Sequence, residues 1–169
     1  MSVGLLEDST KVNELADDRE SCFYVLTWMA LNFTKHTIKK GSLKTLLNPF
    51  NELDEDGGII SGGNLKRDSL REMKIEKSVE FNDRPYLDKL IAELTKIFVA
   101  RYDHLPGSDM EPTLSKALIR HRKERMEALN RRGWLVETFR HHLDPDFWPT
   151  SDIAVKQSTG DERKRRRTR

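Results

Sequence analysis

The chain has 169 residues, 36% of them hydrophobic and 34% charged, and its 30 Lys+Arg against 28 Asp+Glu leave a formal charge of +2. That is room for one domain with thin apolar content, and the balanced charge argues by itself for neither nucleic acid nor a membrane surface. The longest apolar stretch, Cys22 to Leu31, is too short to span a bilayer, and a lone cysteine forms no internal disulfide, which points to a reducing intracellular setting, cytoplasmic or nuclear.

The first 16 residues begin with Val3, Leu5 and Leu6 and then turn polar, the pattern of a docked extended piece followed by a loop. Residues 1 to 20 carry Glu7, Asp8, Glu14, Asp17, Asp18 and Glu20 against Lys11 and Arg19, so this end is acidic. No basic region followed by an apolar one marks a signal peptide. Asp17 or Asp18 offers a carboxylate N-cap to a helix running to about Phe33, with Arg19 and Glu20 decorating its first turn. The segment after that cap is almost wholly apolar, which predicts a helix without a solvent face, in the middle of a core, with Cys22 buried and inert.

From Lys39 to Asp68 turn formers dominate (Gly41, Asn48-Pro49, Asp56-Gly57-Gly58, Gly62-Gly63-Asn64), predicting a long loop with one short helix near residues 42–47. Pro85 then opens the clearest helix, capped by Asn82 or Asp83, in which Leu87, Leu90, Ile91, Leu94, Ile97, Phe98 and Tyr102 recur every three or four residues. Each large side chain on such a stripe contributes about 1.5 to 3 kcal/mol on full burial, and the first helix is the expected partner. Pro112 opens a third helical segment to Arg132 with a sparse apolar face of Leu114, Leu118, Met126 and Leu129; Gly133 ends or bends it before residues 134–143. Seven cations against Glu124 and Glu127 make residues 116–132 basic. Beyond Leu143, Pro145 and Pro149 break the pattern, and residues 144–169 are expected to be a mostly disordered tail, basic at its end.

Several chemical motifs are approached and missed. Glu52-x-Asp54-x-Asp56-Gly57 imitates the first half of a calcium loop, but its twelfth position falls on Gly63, where a bidentate Glu is needed. Glycines 57 to 63 have no following Lys-Ser or Lys-Thr to hold phosphates. His36, His104, His121, His141 and His142 show no i, i+4 pair, and nothing resembles a nucleophile elbow. Arg163, Lys164, Arg165, Arg166 and Arg167 form a cluster suited to nuclear import or to loose phosphate binding, and equally to a solvated tail.

Asp18-Arg19-Glu20-Ser21-x-Phe23-Tyr24-Val25-Leu26-x-Trp28 resembles the signature of the fungal-type protein kinase-like domain, where it forms the central F helix of the C-lobe. Gly62 to Lys66, Phe81-x-Asp83-Arg84-Pro85 continuing through Leu94 to Phe98 and Arg101-Tyr102, and Met1 to Leu6 are similar to further stretches of that family in the same order. The resemblance covers residues 1 to 103. It implies a mainly α fold, a truncated kinase C-lobe from the F helix onward spanning 1–143, with a long loop and the basic tail. It also implies that the chain starts near the end of an activation segment, and that Asp18 would hold a catalytic loop.

Neither the Gly-rich loop, the strand lysine, the His-Arg-Asp loop nor the Asp-Phe-Gly metal site is present, so the expected product is a fragment without phosphotransferase activity alone and without cofactors; ATP and magnesium enter only with a complete kinase. The family's activation-segment glutamate would fall near Gly4, removing its ion pair with a C-lobe arginine. A protein partner covering exposed C-lobe surface is the expected company. The rivals are a shortened form of an active Ser/Thr kinase, which coding sequence upstream of Met1 would reveal, and a basic helical module binding nucleic acid or an acidic protein.

Overall fold

The computed structural model describes residues 1–8, 10–52, 54–56, 59–103, 107, 110–143, 148 and 153–157. The fold is mainly helical: α1 Val3–Glu7, α2 Leu15–Phe33, α3 Lys40–Leu47 with a 3-10 turn at Asn48–Phe50, α4 Asn64–Arg71, α5 Lys74–Ser78, α6 Pro85–Val99, α7 Pro112–Asn130 and α8 Trp134–His142. Two short strands, β1 Asp54–Asp56 and β2 Ile59–Ser61, pair antiparallel with Glu55 opposite Ile60.

α6 is the helix its sequence period predicts. Leu90, Ile91, Leu94 and Phe98 are essentially unexposed on one stripe, and Phe98 meets Phe23 of α2 at 5.3 Å between ring centroids and Trp134 of α8 at 6.0 Å. Pro85 occupies the first turn, but the N-cap is Arg84, without a side-chain cap; Asp88 instead accepts the Phe81 N–H at 3.1 Å.

Other expectations need correction. The amino-terminal piece is a helical turn, α1, because Ser2 Oγ accepts the Leu5 N–H and the Val3 N–H finds Glu20. α2 is capped by Glu14, with Asp17 at its third position closing a reciprocal capping box, so neither Asp17 nor Asp18 is the N-cap. The 39–68 loop holds α3 and the start of α4, whose first N–H groups are met by the Glu52 carboxylate at 3.0 Å from Gly63 and 2.9 Å from Leu65. Glu52 is thereby engaged as a helix cap; the side chains of Asp54 and Asp56 lie outside the described residues.

The largest departure concerns α2, which does have a solvent face. Ala16, Glu20, Phe23, Tyr24, Thr27, Ala30 and Leu31 are buried, whereas Val25 is 58% and Met29 51% exposed, and Cys22 is exposed beside them. An apolar helix is buried only where other elements cover it, and among the described residues α1, α3, α6 and α7 pack on one side of α2. Residues 153–157 meet its end through Val155 N–H to Phe33 O at 2.8 Å and Gln157 N–H to Asn32 O at 2.6 Å.

α7 is likewise less buried than its pattern suggests: Leu129 is fully covered, but Leu114 and Leu118 are exposed. Its position is fixed midway by Arg122 Nε donating to Ala100 O at 3.0 Å, beyond the end of α6. α7 ends at Asn130 with Arg131 extended behind it, and Gly133, at φ +81°, precedes α8 as its N-cap in the left-handed region where glycine is favoured. Among the described residues no helix is long and apolar enough to cross a membrane.

Candidate functional site: a buried charge network at the α1, α2 and α6 junction

The stripe of α2 that buries Phe23, Tyr24 and Thr27 continues toward its N-terminus into Glu20 and Asp17, both with no exposed surface. Buried carboxylates must be paired and hydrogen-bonded to be tolerated. The chain supplies the partners just past α6. Arg101 donates to Asp17 Oδ1 at 2.7 Å, to Glu20 Oε2 at 2.6 Å and to Ala16 O at 3.0 Å, and Tyr102 Oη donates to the same Glu20 oxygen at 2.6 Å.

The remaining lone pairs are met from the amino-terminal turn. Ser2 Oγ donates to Asp17 Oδ1 at 2.9 Å, the Val3 N–H to Glu20 Oε1 at 2.8 Å, the Glu14 N–H to Asp17 Oδ2 at 3.0 Å, and Lys11 Nζ closes on that last oxygen. Two carboxylates thus share one guanidinium, and they respond oppositely. Burial works against ionised Asp17, but the hydrogen bonds from Lys11, Arg101, Glu14 and Ser2 outweigh it and hold its carboxyl well below the usual range. For Glu20 burial wins over Tyr102, Val3 and Arg101, and its carboxyl is pushed up. Tyr102 is pushed well above its ordinary value by burial and by the Glu20 charge.

Arg19 extends the ordered charge in another direction. It is buried rather than decorating a surface turn, its guanidinium donating to Leu129 O and, at 2.9 Å, to Arg131 O, with Trp134 beneath it at 5.9 Å. It therefore satisfies the open carbonyls at the end of α7, where a cation is favoured by the helix dipole.

Asp18, the residue singled out by resemblance, is exposed. Its Oδ1 accepts from Asn13 Nδ2 at 2.9 Å, and it does not join the network, because one residue along a helix turns the side chain by about 100°. Arg163 to Arg167 lie outside the described residues. The cations of α7 are partly engaged: Arg122 holds Ala100 O, while Arg120 and Lys123 lie 3.9 and 3.8 Å from Glu124 and Glu127 one turn on.

No protein-family model, curated protein or solved structure matches the chain.

One turn beyond Glu20, the Tyr24 hydroxyl is buried with no hydrogen-bond partner among the described residues. Lys66 of α4 sits over its ring at 5.3 Å, 8% exposed; burial lowers the ammonium's pKa while Glu20 and Glu52 raise it. These residues border a recess of about 20 Å³ between α2, the 3-10 turn and α4, room for one water. Among the described residues no group of three or more His, Cys, Asp or Glu is placed to hold a metal ion.

Sequence reasoning missed Ser2, Asp17, Glu20 and Arg101 as a set. The available signal was the continuation of the buried period of α2, at 31, 27, 24 and 20, through two acids. A buried acid needs a cation, and the pattern does not say where in the chain that cation lies.

Proposed function

We propose that this chain is the helical C-terminal part of a fungal-type kinase-like C-lobe and performs no phosphoryl transfer by itself, acting as a scaffold that joins other polypeptide. The observation that carries this reading is the convergence of the stretches in which the resemblance was found. Met1 to Leu6 supplies Ser2 and the Val3 N–H, the α2 stretch supplies Glu20 beside Asp17, and the end of the α6 stretch supplies Arg101 and Tyr102. Gly62 to Lys66 joins them, with the Gly62 N–H on Leu6 O at 3.3 Å and Lys66 on Tyr24.

Arg101 takes both of its acidic partners, Asp17 and Glu20, from α2. This supports a self-sufficient lobe core. The sequence offers no Gly-rich loop, His-Arg-Asp or Asp-Phe-Gly to place ATP and its metal, and the recess beside α2 is too small for a nucleotide. The exposed Cys22, Val25 and Met29 face of α2 is the surface on which further polypeptide of a kinase-like assembly would pack.

A radiometric assay with ATP, magnesium and a mixed protein substrate tests the first half: background counts are expected, and robust turnover abolished by a point change in this chain overturns it. Superposing an experimental structure on a fungal-type kinase C-lobe tests the second. α2 and α6 are expected to fall on its central helix and the helix packed against it, and failure of both to align overturns the family reading.

A further inference from the structure

The core covers α7 over only part of its length. Leu129 has no exposed surface, Met126 packs on the core and Arg122 is bound to Ala100 O, but the half before them stands clear, with Leu114 52%, Leu118 44% and Ile119 46% exposed. At about 100° per residue, these six positions share one arc of about 140° around the helix. The apolar stripe that fastens the second half of α7 to α2, α6 and α8 therefore runs on past the edge of the core, where it is open among the described residues.

Positive charge borders that open stretch. Lys116 and Lys123 flank the arc on the side of Ile119 and His121 on the side of Leu114, all three exposed. Residues 116–132 carry seven cations against two acids. Those acids relieve little of it: Glu124 lies 3.9 Å from Arg120 and Glu127 3.8 Å from Lys123, pairs of largely exposed side chains that hold their cations loosely.

Cations alone suit any polyanion, and the side chains between them decide which. Against a nucleic acid, Leu114, Leu118 and Ile119 would lie on phosphate and sugar with nothing to gain, and α7 has no Phe, Tyr or Trp on which a base could stack. A lipid surface favours an apolar face along the whole helix, and the second half of this one is already committed to the core. A second copy of this chain fits no better, because its acidic amino-terminal end has Asp17 and Glu20 on Arg101 and Glu7 on Arg67. An amphipathic helix with carboxylates beside its apolar stripe meets both needs at once. Its apolar side chains, spaced three and four apart, pack against the ridge of Leu114 and Leu118, and its acids complement the lysines.

We propose that residues 114–123 dock an acidic amphipathic helix of another protein, with Leu114, Leu118 and Ile119 covered by its apolar stripe and Lys116 and Lys123 facing its carboxylates. These positions rise about 14 Å along α7, which matches a partner segment of two to three turns. The surface lies beyond residues 1–103, over which the family resemblance runs, and does not depend on a kinase-like origin.

The full chain, labelled with nitrogen-15, is titrated with a capped peptide of about 14 residues that carries leucines at spacings of three and four and glutamates on both flanks of that stripe. Amide shifts should concentrate in residues 112–124. Two control peptides, one with serine for leucine and one with lysine for glutamate, should each bind at least about tenfold more weakly, the first for lost apolar burial and the second for reversed charge. Leu118→Ser, and the double change Lys116→Glu with Lys123→Glu, should each weaken the leucine–glutamate peptide by about tenfold, and added salt should weaken it further in the unchanged protein. Thermal melting establishes that the variants fold, and the double change, confined to exposed lysines, carries the test if Leu118→Ser does not fold. A DNA duplex of similar length and vesicles of phosphatidylserine with phosphatidylcholine, titrated in parallel, should bind more weakly than the peptide. Tighter binding of duplex or vesicles, equal binding of the serine peptide, unchanged binding by the folded double variant, or no shifts at millimolar peptide would overturn the proposal.

Discussion

Arg101→Met removes the guanidinium shared by Asp17 and Glu20 while keeping an unbranched side chain to fill the space. The variant loses the bonds at 2.7 and 2.6 Å to the two carboxylates and the 3.0 Å bond to Ala16 O. Both acids have no exposed surface and Arg101 only 10%, so water does not replace what is lost. Breaking such a pair from one side costs about 3–5 kcal/mol, a large part of the roughly 5–15 kcal/mol that holds a domain together. At about 2–4 °C per kcal/mol for a chain of this size, the melting temperature should fall by about 6–20 °C.

The pH dependence gives a sharper reading. Asp17, held below its ordinary 3.8, contributes stability that is present above that value and lost as pH falls. Glu20, raised above its ordinary 4.5, contributes in the opposite sense: its share is present at low pH and lost as pH rises through the elevated value. Without Arg101 the downward hold on Asp17 weakens and Glu20 rises further. The deficit of the variant should therefore be greatest near neutrality and shrink toward pH 4. Urea denaturation of both proteins from pH 4 to 8 measures it, with Arg101→Lys expected to recover only part because an ammonium lacks the planar, five-donor guanidinium that reaches Asp17, Glu20 and Ala16 O at once. A deficit below about 1 kcal/mol at pH 7, or one that grows toward acid, refutes the network as described.

Three further outcomes are expected. Tyr24→Phe deletes a buried hydroxyl without a partner and should stabilise the fold by about 1 kcal/mol in the same urea assay; a loss of that size would mean the hydroxyl is satisfied. Gly63 has φ +97° and a Cβ there would lie 3.2 Å from Leu6 Cβ and 3.3 Å from Val3 O, so Gly63→Ala should cost about 1–3 kcal/mol and lower the thermal midpoint, whereas an unchanged midpoint would contradict the close packing of α1 on α4. Cys22, exposed on the open face of α2, should react with a maleimide in the native protein about as fast as in urea, and native protection would show that face to be covered.

The amino-acid sequence alone determined what depends on near neighbours in the chain. The three- and four-residue spacing from Leu87 to Phe98, Pro85 at the start of that helix, Gly133 between α7 and α8, and the mainly helical character all follow from local period and backbone preference. The packing of Phe98 on α2 was legible too, because a stripe that wide must be covered. What the tertiary structure decided is which face is covered and which charges meet. α2 is apolar all round, so its composition could not reveal that Phe23 and Tyr24 turn inward while Val25 and Met29 face out; that depends on where α1, α3, α6 and α7 lie. Nor could it choose Asp17 over Asp18, adjacent and chemically equal, since the choice rests on an arginine 84 residues away and on a rotation of about 100° between neighbours. Long-range pairing costs loop-closure entropy and leaves no periodic trace in the sequence, and the network therefore became visible only when the helices were in place.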